Sequence, residues 1–284
     1  MTSPAAIVLI AHGSPDPDWM RPVVALAERL RARAPGRDVA VATLEHVLRL
    51  IETHPHLPDA DGERVLTLSR LSHARQVAFG FVDPQVGELW SRTSELAATH
   101  EDLREKVVAD AGRIVVACVC GQLREADEMV RATLPLAAQI ADPGIRKTFG
   151  FAAGTVRYRV AAMHDAATLF ESALALAHTD EPVPGADLDA LLMSQYAPAL
   201  ALAGRIGELH GMVARSLERA RAHSLYSECV TGALNAWALG LVGDFAGAAP
   251  IAARALAIAE GESFRTWTSR PLFLLGVQAI HAGR

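Results

Sequence analysis

Turns interrupt this chain at a nearly constant interval, and that interval restricts what it can fold into more than any other feature. They stand at Cys120-Gly121-Gln122, Met163-His164-Asp165, Ala203-Gly204-Arg205, Val242-Gly243-Asp244 and Ala282-Gly283-Arg284, roughly 40 residues apart, the range of two-helix repeats. Between them apolar residues keep helical spacing. From Leu103, the residues Val107, Val108, Ala111, Ile114, Val115 and Cys118 recur at i, i+3, i+4 and i+7, and the run stops where Gly121 can take a left-handed cap. A second helix begins at Leu123 and continues through Met129, Val130, Leu134, Leu136 and Ala137 to Ile140, before the breaker cluster Ala141-Asp142-Pro143-Gly144. Two helices and a tight turn form an αα-hairpin. One hairpin cannot bury its apolar faces alone, so successive hairpins must stack and share an elongated core.

The pattern continues upstream in weaker form. Gly62 to Leu71 reads as a helix, Phe81-Val82-Asp83-Pro84 as its break, and Val86 to Ala98 as its partner, with Trp90 and Leu96 expected on one face. His178 to Asp187, polar and Pro-rich, reads as a long loop between hairpins. Gly283 has no second helix after it, so half a hairpin and an exposed apolar end are expected there. Alanine, leucine, arginine and glutamate dominate after position 45, which favours helix throughout.

The start differs. Ala5 to Ala11 is a short apolar run ending at His12-Gly13-Ser14; a helix is expected from Pro22 to Arg33, Pro35-Gly36 stops it, and Val39 to Leu44 reads as a second strand. The expected fold is therefore mainly α, a tetratricopeptide-like αα-hairpin solenoid with a short N-terminal β-α-β fragment. Residues 1–45 form the fragment and 46–284 the repeat domain.

A formal net charge of -5 and a pI near 6.1 give no global attraction to nucleic acid or anionic lipid, so neither is an expected partner. Cys118, Cys120 and Cys229 cannot make a disulfide framework. No apolar run approaches the ~18 residues of a membrane span, and Ala5–Ala11 lacks the flanks of a signal peptide. A cytoplasmic setting is expected.

The stretch from Leu44 to Arg284 resembles the tetratricopeptide-like C-terminal region of large bacterial regulatory ATPases, including those joined to cyclase domains or to transcriptional activators. Leu57-Pro58-Asp59-Ala60, the helix opening Val82 to Trp90 and the recurring Gly-x-[Leu/Ile/Phe]-x-x-Ala turns carry the likeness. It implies a sensory, partner-binding array. No Gly-x-x-x-x-Gly-Lys-[Ser/Thr] loop occurs, so no phosphate-cradling ATPase site is expected in this chain. Ile7 to Trp19, with Thr43-Leu44-Glu45, resembles the opening of the small sirohydrochlorin cobaltochelatases and ferrochelatases. That likeness implies that His12 binds Co²⁺ or Fe²⁺ as the substrate metal and helps take protons from the tetrapyrrole nitrogens, a task suited to a neutral imidazole. Pro271 to His281 echoes the missing second half of that site, but its place in the repeat makes it a first-of-pair helix, so His281 is not expected to join His12.

Other candidates have plainer readings. Cys118 and Cys120 point apart as i and i+2 and read as small apolar side chains. His54, His56 and His73, without ligand spacing, read as solvated or capping. Trp90, Trp237 and Trp267 read as core between repeats, and Arg215, Arg219 and Arg221, beside Glu218, as a solvated face. Two functions follow. One is a non-catalytic scaffold that needs no cofactor and takes a protein or peptide in its groove. The other is a tetrapyrrole chelatase acting through His12. The array is nearly whole, whereas about 45 residues are too few to fold alone; the sequence reads as a chelatase-like start joined to the tail of a regulator.

Overall fold

Aspartate and proline mark where many of the helices begin, and a left-handed residue marks where five of the hairpins turn. The computed structural model of the chain describes residues 39–54, 56, 59–177, 186–262 and 264–281. These residues hold α1 (Val39–Thr53), α2 (Ala60–Phe79), α3 (Pro84–Thr99), α4 (Leu103–Val119), α5 (Leu123–Ala137) and α6 (Pro143–Arg159). They continue with α7 (Met163–Leu174), α8 (Leu188–Leu202), α9 (Ile206–His223), α10 (Leu225–Leu241), α11 (Phe245–Gly261) and α12 (Ser269–His281), the last preceded by a 3₁₀ turn at Arg265–Trp267.

The hairpin turns superimpose chemically. Gly80, Gly121, Ala161, Gly204 and Gly243 all have positive φ, between 62° and 88°, and each sits between an even-numbered helix and the odd-numbered helix after it. Glycine reaches that region without a Cβ clash, whereas Ala161 occupies it at a cost. At the other ends, Asp83, Asp102, Asp142, Asp187, Ser224 and Asp244 accept hydrogen bonds from first-turn backbone N–H groups, satisfying donors that a helix start otherwise leaves open.

The hairpins stack in two layers. Each even-numbered helix packs on the next even-numbered one, from α2 through α12, while the odd-numbered helices pack chiefly on their even neighbours. The even helices are thus the inner layer and the odd helices the outer. α5 shows the outer pattern: Ala126, Val130, Thr133 and Ala137 are buried at helical spacing, with polar residues opposite. α8 shows the inner one, buried over most of its circumference from Leu188 to Ala201.

One core cluster joins α7 through α12, among them Phe170, Leu192, Tyr196, Leu209, Leu239 and Leu274. A second joins α4, α5 and α6. Further upstream, Trp90 is fully buried against Val86 and Ala109, and its ring lies where a Cβ on Gly112 of α4 would come within 2.4 Å. Only glycine at position 112 lets α4 approach that ring.

The expected N-terminal strand at Val39 to Leu44 is helix. Val41, Leu44 and Leu48 pack with Leu68, Leu71 and Ala74 of α2, a helical spacing that six residues are too few to reveal. The described residues contain no β-strand; the first strand and helix expected for the β-α-β fragment, and His12 with them, lie outside those residues. The expected boundary after residue 45 falls inside α1. Trp90 and Leu96, expected on one face, divide: Trp90 faces α4, while Leu89 and Leu96, one heptad apart, form a second stripe against α1 and α2.

Candidate functional site

The inner face is built by even-numbered helices alone. Phe151 of α6, Leu191 of α8, Val230 and Leu234 of α10, and Trp267 of the 3₁₀ turn form one apolar cluster with Ala186 and Tyr226, to which no odd-numbered helix contributes. Leu191 belongs to this face, whereas Leu192, the next residue, packs outward with the cluster shared by α7 and α9. α8 is apolar on both sides for that reason. Trp267 is held by its backbone N–H donating to the Phe264 carbonyl at 2.9 Å, and Phe264 meets Tyr226 edge-on at 5.2 Å. Burial pushes the Tyr226 phenol up to about 12, against a lowering by its hydrogen bond with Trp267.

Ion pairs tie many of the helices to one another. Lys147 of α6, 1% exposed, donates to Asp189 at 2.6 Å. Arg157 reaches Asp127 at 2.8 Å, Arg219 reaches Asp187 at 2.8 Å, and Arg254 holds Glu228 through two bonds of 3.2 and 3.0 Å. Those two bonds, joined by Arg221, keep the Glu228 carboxyl below its usual range. In a recess of about 270 Å³ between α1, α2 and α3, Arg75 is met by Glu45 and Asp83, and Arg92 by Glu52.

Several arginines, Arg49, Arg146, Arg159, Arg215 and Arg270 among them, have no ion pair with an acidic residue among the described residues. Arg270, in the first turn of α12, is partly buried, lies 5.9 Å from the Trp267 ring centroid, and has no acidic partner among the described residues. Burial pulls its guanidinium below the usual range, and the charge of Arg159 at the end of α6 adds to the effect. Arg159 has no acidic partner among the described residues either.

The residues singled out from sequence scatter. His12 lies outside the described residues. His281 ends α12 and stacks on Phe245, with centroids 4.8 Å apart. His54 caps α1 through the Leu50 carbonyl at 2.9 Å, and His56 is exposed. His73 is not a surface group: it meets Trp90 edge-on at 4.5 Å, and burial lowers its pKa to about 4. Cys118 is buried and Cys120 exposed. No group of three or more His, Cys, Asp or Glu among the described residues is placed to hold a metal ion. Arg215 and Arg221 are exposed, as a solvated face requires, whereas Arg219 is partly buried and drawn to Asp187 from a neighbouring element. No helix of the described residues is long and apolar enough to cross a membrane.

Arg270 beside Trp267 was not singled out from the sequence. A signal existed: it has no acidic residue three or four positions away, unlike Arg131 with Asp127.

Among known proteins, the CbiX family model matches residues 6–65, a stretch that ends inside α2. No curated protein matches the chain. Solved structures similar to it include BtubC (BKLC) from P. vanneervenii, at 15% identity over 79% of this chain and 91% of that one, with a TM-score of 0.54. A Rap protein complexed with competence and sporulation factor aligns at 11% identity over 93% of this chain and 74% of that one, also with a TM-score of 0.54. A kinesin light chain with TPR-like repeats from Podosopora anserina gives 14% identity over 74% and 99% of the two chains and a TM-score of 0.44. At such identities the first two likenesses concern the fold: an all-helical array of stacked hairpins.

Proposed function

We propose that the chain is a non-catalytic helical-repeat scaffold that takes a protein or peptide segment along its inner face, as the sensory, partner-binding part of a bacterial signalling or transcriptional regulator. The observation that carries this reading is the two-layered array itself, in which the even-numbered helices from α2 to α12 pack on one another in succession and form one continuous inner layer. A long curved surface of this kind suits an extended or helical segment better than a small molecule. The Rap protein, which shares the fold, is complexed with competence and sporulation factor, and that complex lends support by analogy of fold alone. The test is selection of random dodecapeptides against the full chain, followed by hydrogen exchange of the complex. Protection confined to α6, α8 and α10 is expected; protection on α5, α7 and α9 instead would sink the inner-face assignment, and recovery of no peptide would sink the peptide reading.

A second reading rests on the CbiX match at residues 6–65. In it the chain inserts Co²⁺ or Fe²⁺ into a tetrapyrrole, with His12 binding the substrate metal. Metalation of sirohydrochlorin by the full chain, abolished by His12→Ala, is the expected result under that reading. Equal activity in the two proteins, or none in either, would remove His12 from it.

A further inference from the structure

We propose that the edge of the array at which the even-numbered helices end is a self-association surface, and that its occupant is a second copy of this chain. The inference goes beyond the inner-layer reading and does not depend on it.

The first observation is a line of exposed apolar side chains. Phe79, Val119, Val160, Leu202, Leu241 and Ile280 are between 37% and 75% exposed. Each is the last residue of its even-numbered helix, α2 to α12, or stands next to the last. They follow one another at 39 to 42 residues, the interval of the array itself. A single exposed leucine needs no explanation, but an exposed apolar residue at the same place in six successive units does.

Distances show that these helix ends share one edge. The starts of the even helices lie side by side: Arg104 of α4 reaches Asp142 before α6 at 2.7 Å, Lys147 of α6 reaches Asp189 of α8 at 2.6 Å, and the Asp187 N–H before α8 donates to the Ser227 hydroxyl of α10 at 3.2 Å. Their ends therefore gather at the opposite edge, where Phe245, just past the Gly243 turn, stacks on His281 at the end of α12. Short turns at 80–83 and 100–102 keep α2 in the same sense as α4. Because the even helices pack on one another in succession, the line advances in steps on the order of 10 Å.

The second observation is charge. In the turns of this edge, at 80–83, 120–122, 160–162, 203–205 and 242–244, the charged residues are Asp83, Arg205 and Asp244. Each is already engaged within the chain, with Arg75, Glu171 and His210 respectively. The other edge exposes His100, Glu101 and Glu262. Two copies of a chain with formal net charge -5 repel one another, so their contact is favoured where charge is least.

The third observation concerns fit. Apolar positions that repeat at the interval of the array are met in full by a surface with the same interval, and a second copy supplies one by symmetry. At the exposures given, two such lines facing each other would bury on the order of 1,000 Å², the lower bound of a specific interface. A dimer with a Kd on the order of micromolar suits that size.

The experiment is sedimentation equilibrium of the full chain over a range of concentrations around that Kd. The native chain should show a monomer–dimer equilibrium, and Leu202→Lys/Leu241→Lys should weaken it at least about tenfold by placing unpaired charge in the contact. Lysine at a helix C-terminus suits the helix dipole, so the variant's Tm should hold. Should the Tm fall, Leu202→Gln and Leu241→Gln, each alone, decide by the same comparison. Leu134→Lys, on the outer helix α5 and equally exposed to solvent, should leave the equilibrium unchanged. A native chain that stays monomeric throughout would overturn the proposal, and its co-sedimentation with phosphatidylcholine vesicles in that case would reassign the edge to a lipid surface. A dimer that survives the Leu202 and Leu241 substitutions, or is lost with Leu134→Lys, would overturn the assignment to this edge. Assembly of the native chain into more than two copies would overturn the two-fold pairing.

Discussion

The first hairpins and the later ones use the same repeat but carry their load differently. Between α2, α3 and α4 the contact is concentrated in one side chain, Trp90, which is fully buried, faces His73 edge-on and fits over Gly112. From α7 to α12 the burial is spread over many small residues, with alanines 166, 173, 197, 199, 236, 238, 248 and 252 among them, and the layers are fastened by ion pairs. Concentrated packing makes a joint that one substitution can open. Distributed packing makes a block in which each residue matters less.

The largest effect that tests this contrast is Trp90→Ala. It should cost about 3–5 kcal/mol in urea unfolding, and hydrogen exchange should rise through α2–α4 while α8 and α10 stay protected. Uniform loss of protection along the array would break the contrast. Next in size is Lys147→Met, which leaves the partly buried Asp189 with a weaker set of positive neighbours and should cost about 3 kcal/mol. The exposed pair Arg92–Glu52 at the other end should cost under about 1 kcal/mol when broken by Arg92→Ala. Equal costs would mean that ion pairing does not distinguish the two regions.

Acid should act on the first hairpins specifically. His73 is held neutral in the fold, with a pKa of about 4 against an ordinary 6.5. Between those values the unfolded chain binds the proton and the folded chain does not, so stability falls as pH drops from 6.5 to 4 and is fully present above 6.5. The loss should be about 3 kcal/mol, absent in His73→Leu, and visible as loosening of α2 and α3. Glu105, whose carboxyl burial raises, titrates in the opposite sense but is common to both proteins, so their difference isolates His73. A parallel pH dependence in the two proteins would exclude His73 as the cause. The smallest effect is a gain: Ala161→Gly, at the turn where the other hairpins have glycine, should stabilise by up to about 1 kcal/mol, because left-handed strain is relieved at some entropic cost.

Local features of this fold were legible and distant ones were not. Gly121, Gly204 and Gly243 announce their turns because positive φ is a property of one residue, and the period they set gives the hairpin architecture. α1 was misread because V-A-V-A alternates as a strand would, and only Leu48 and Ile51 beyond it restore the helical spacing. Arg219 looked like a solvated neighbour of Glu218, since nothing local reveals that Asp187 comes alongside it. His73 looked like a surface histidine for the same reason. The inner cluster depends on the stacking of the array, which gathers Phe151, Leu191, Val230 and Trp267 from separate elements, and stacking is a sum over many helix contacts that no short window contains.

The capping aspartates carry a consequence for how the array melts. Asp83, Asp142, Asp187 and Asp244 each accept a helix-start N–H, and each also meets a basic side chain from another helix: Arg75, Arg104, Arg219 and the His210 imidazole respectively. The Asp142 and Asp244 carboxyls are held below their ordinary range: at Asp244 by the Gly247 N–H and then His210, and at Asp142 by Ile145, Arg104 and Gly144 against an opposing effect of burial. One carboxylate thus belongs at once to the nucleation of a helix and to its coupling with a neighbour. In a one-dimensional array those are normally separate quantities, one intrinsic to the unit and one to the junction. Here they rise and fall together, so a unit that loses its neighbour also loses part of its reason to be helical, and unfolding should spread along the chain as a front rather than nibble at isolated units.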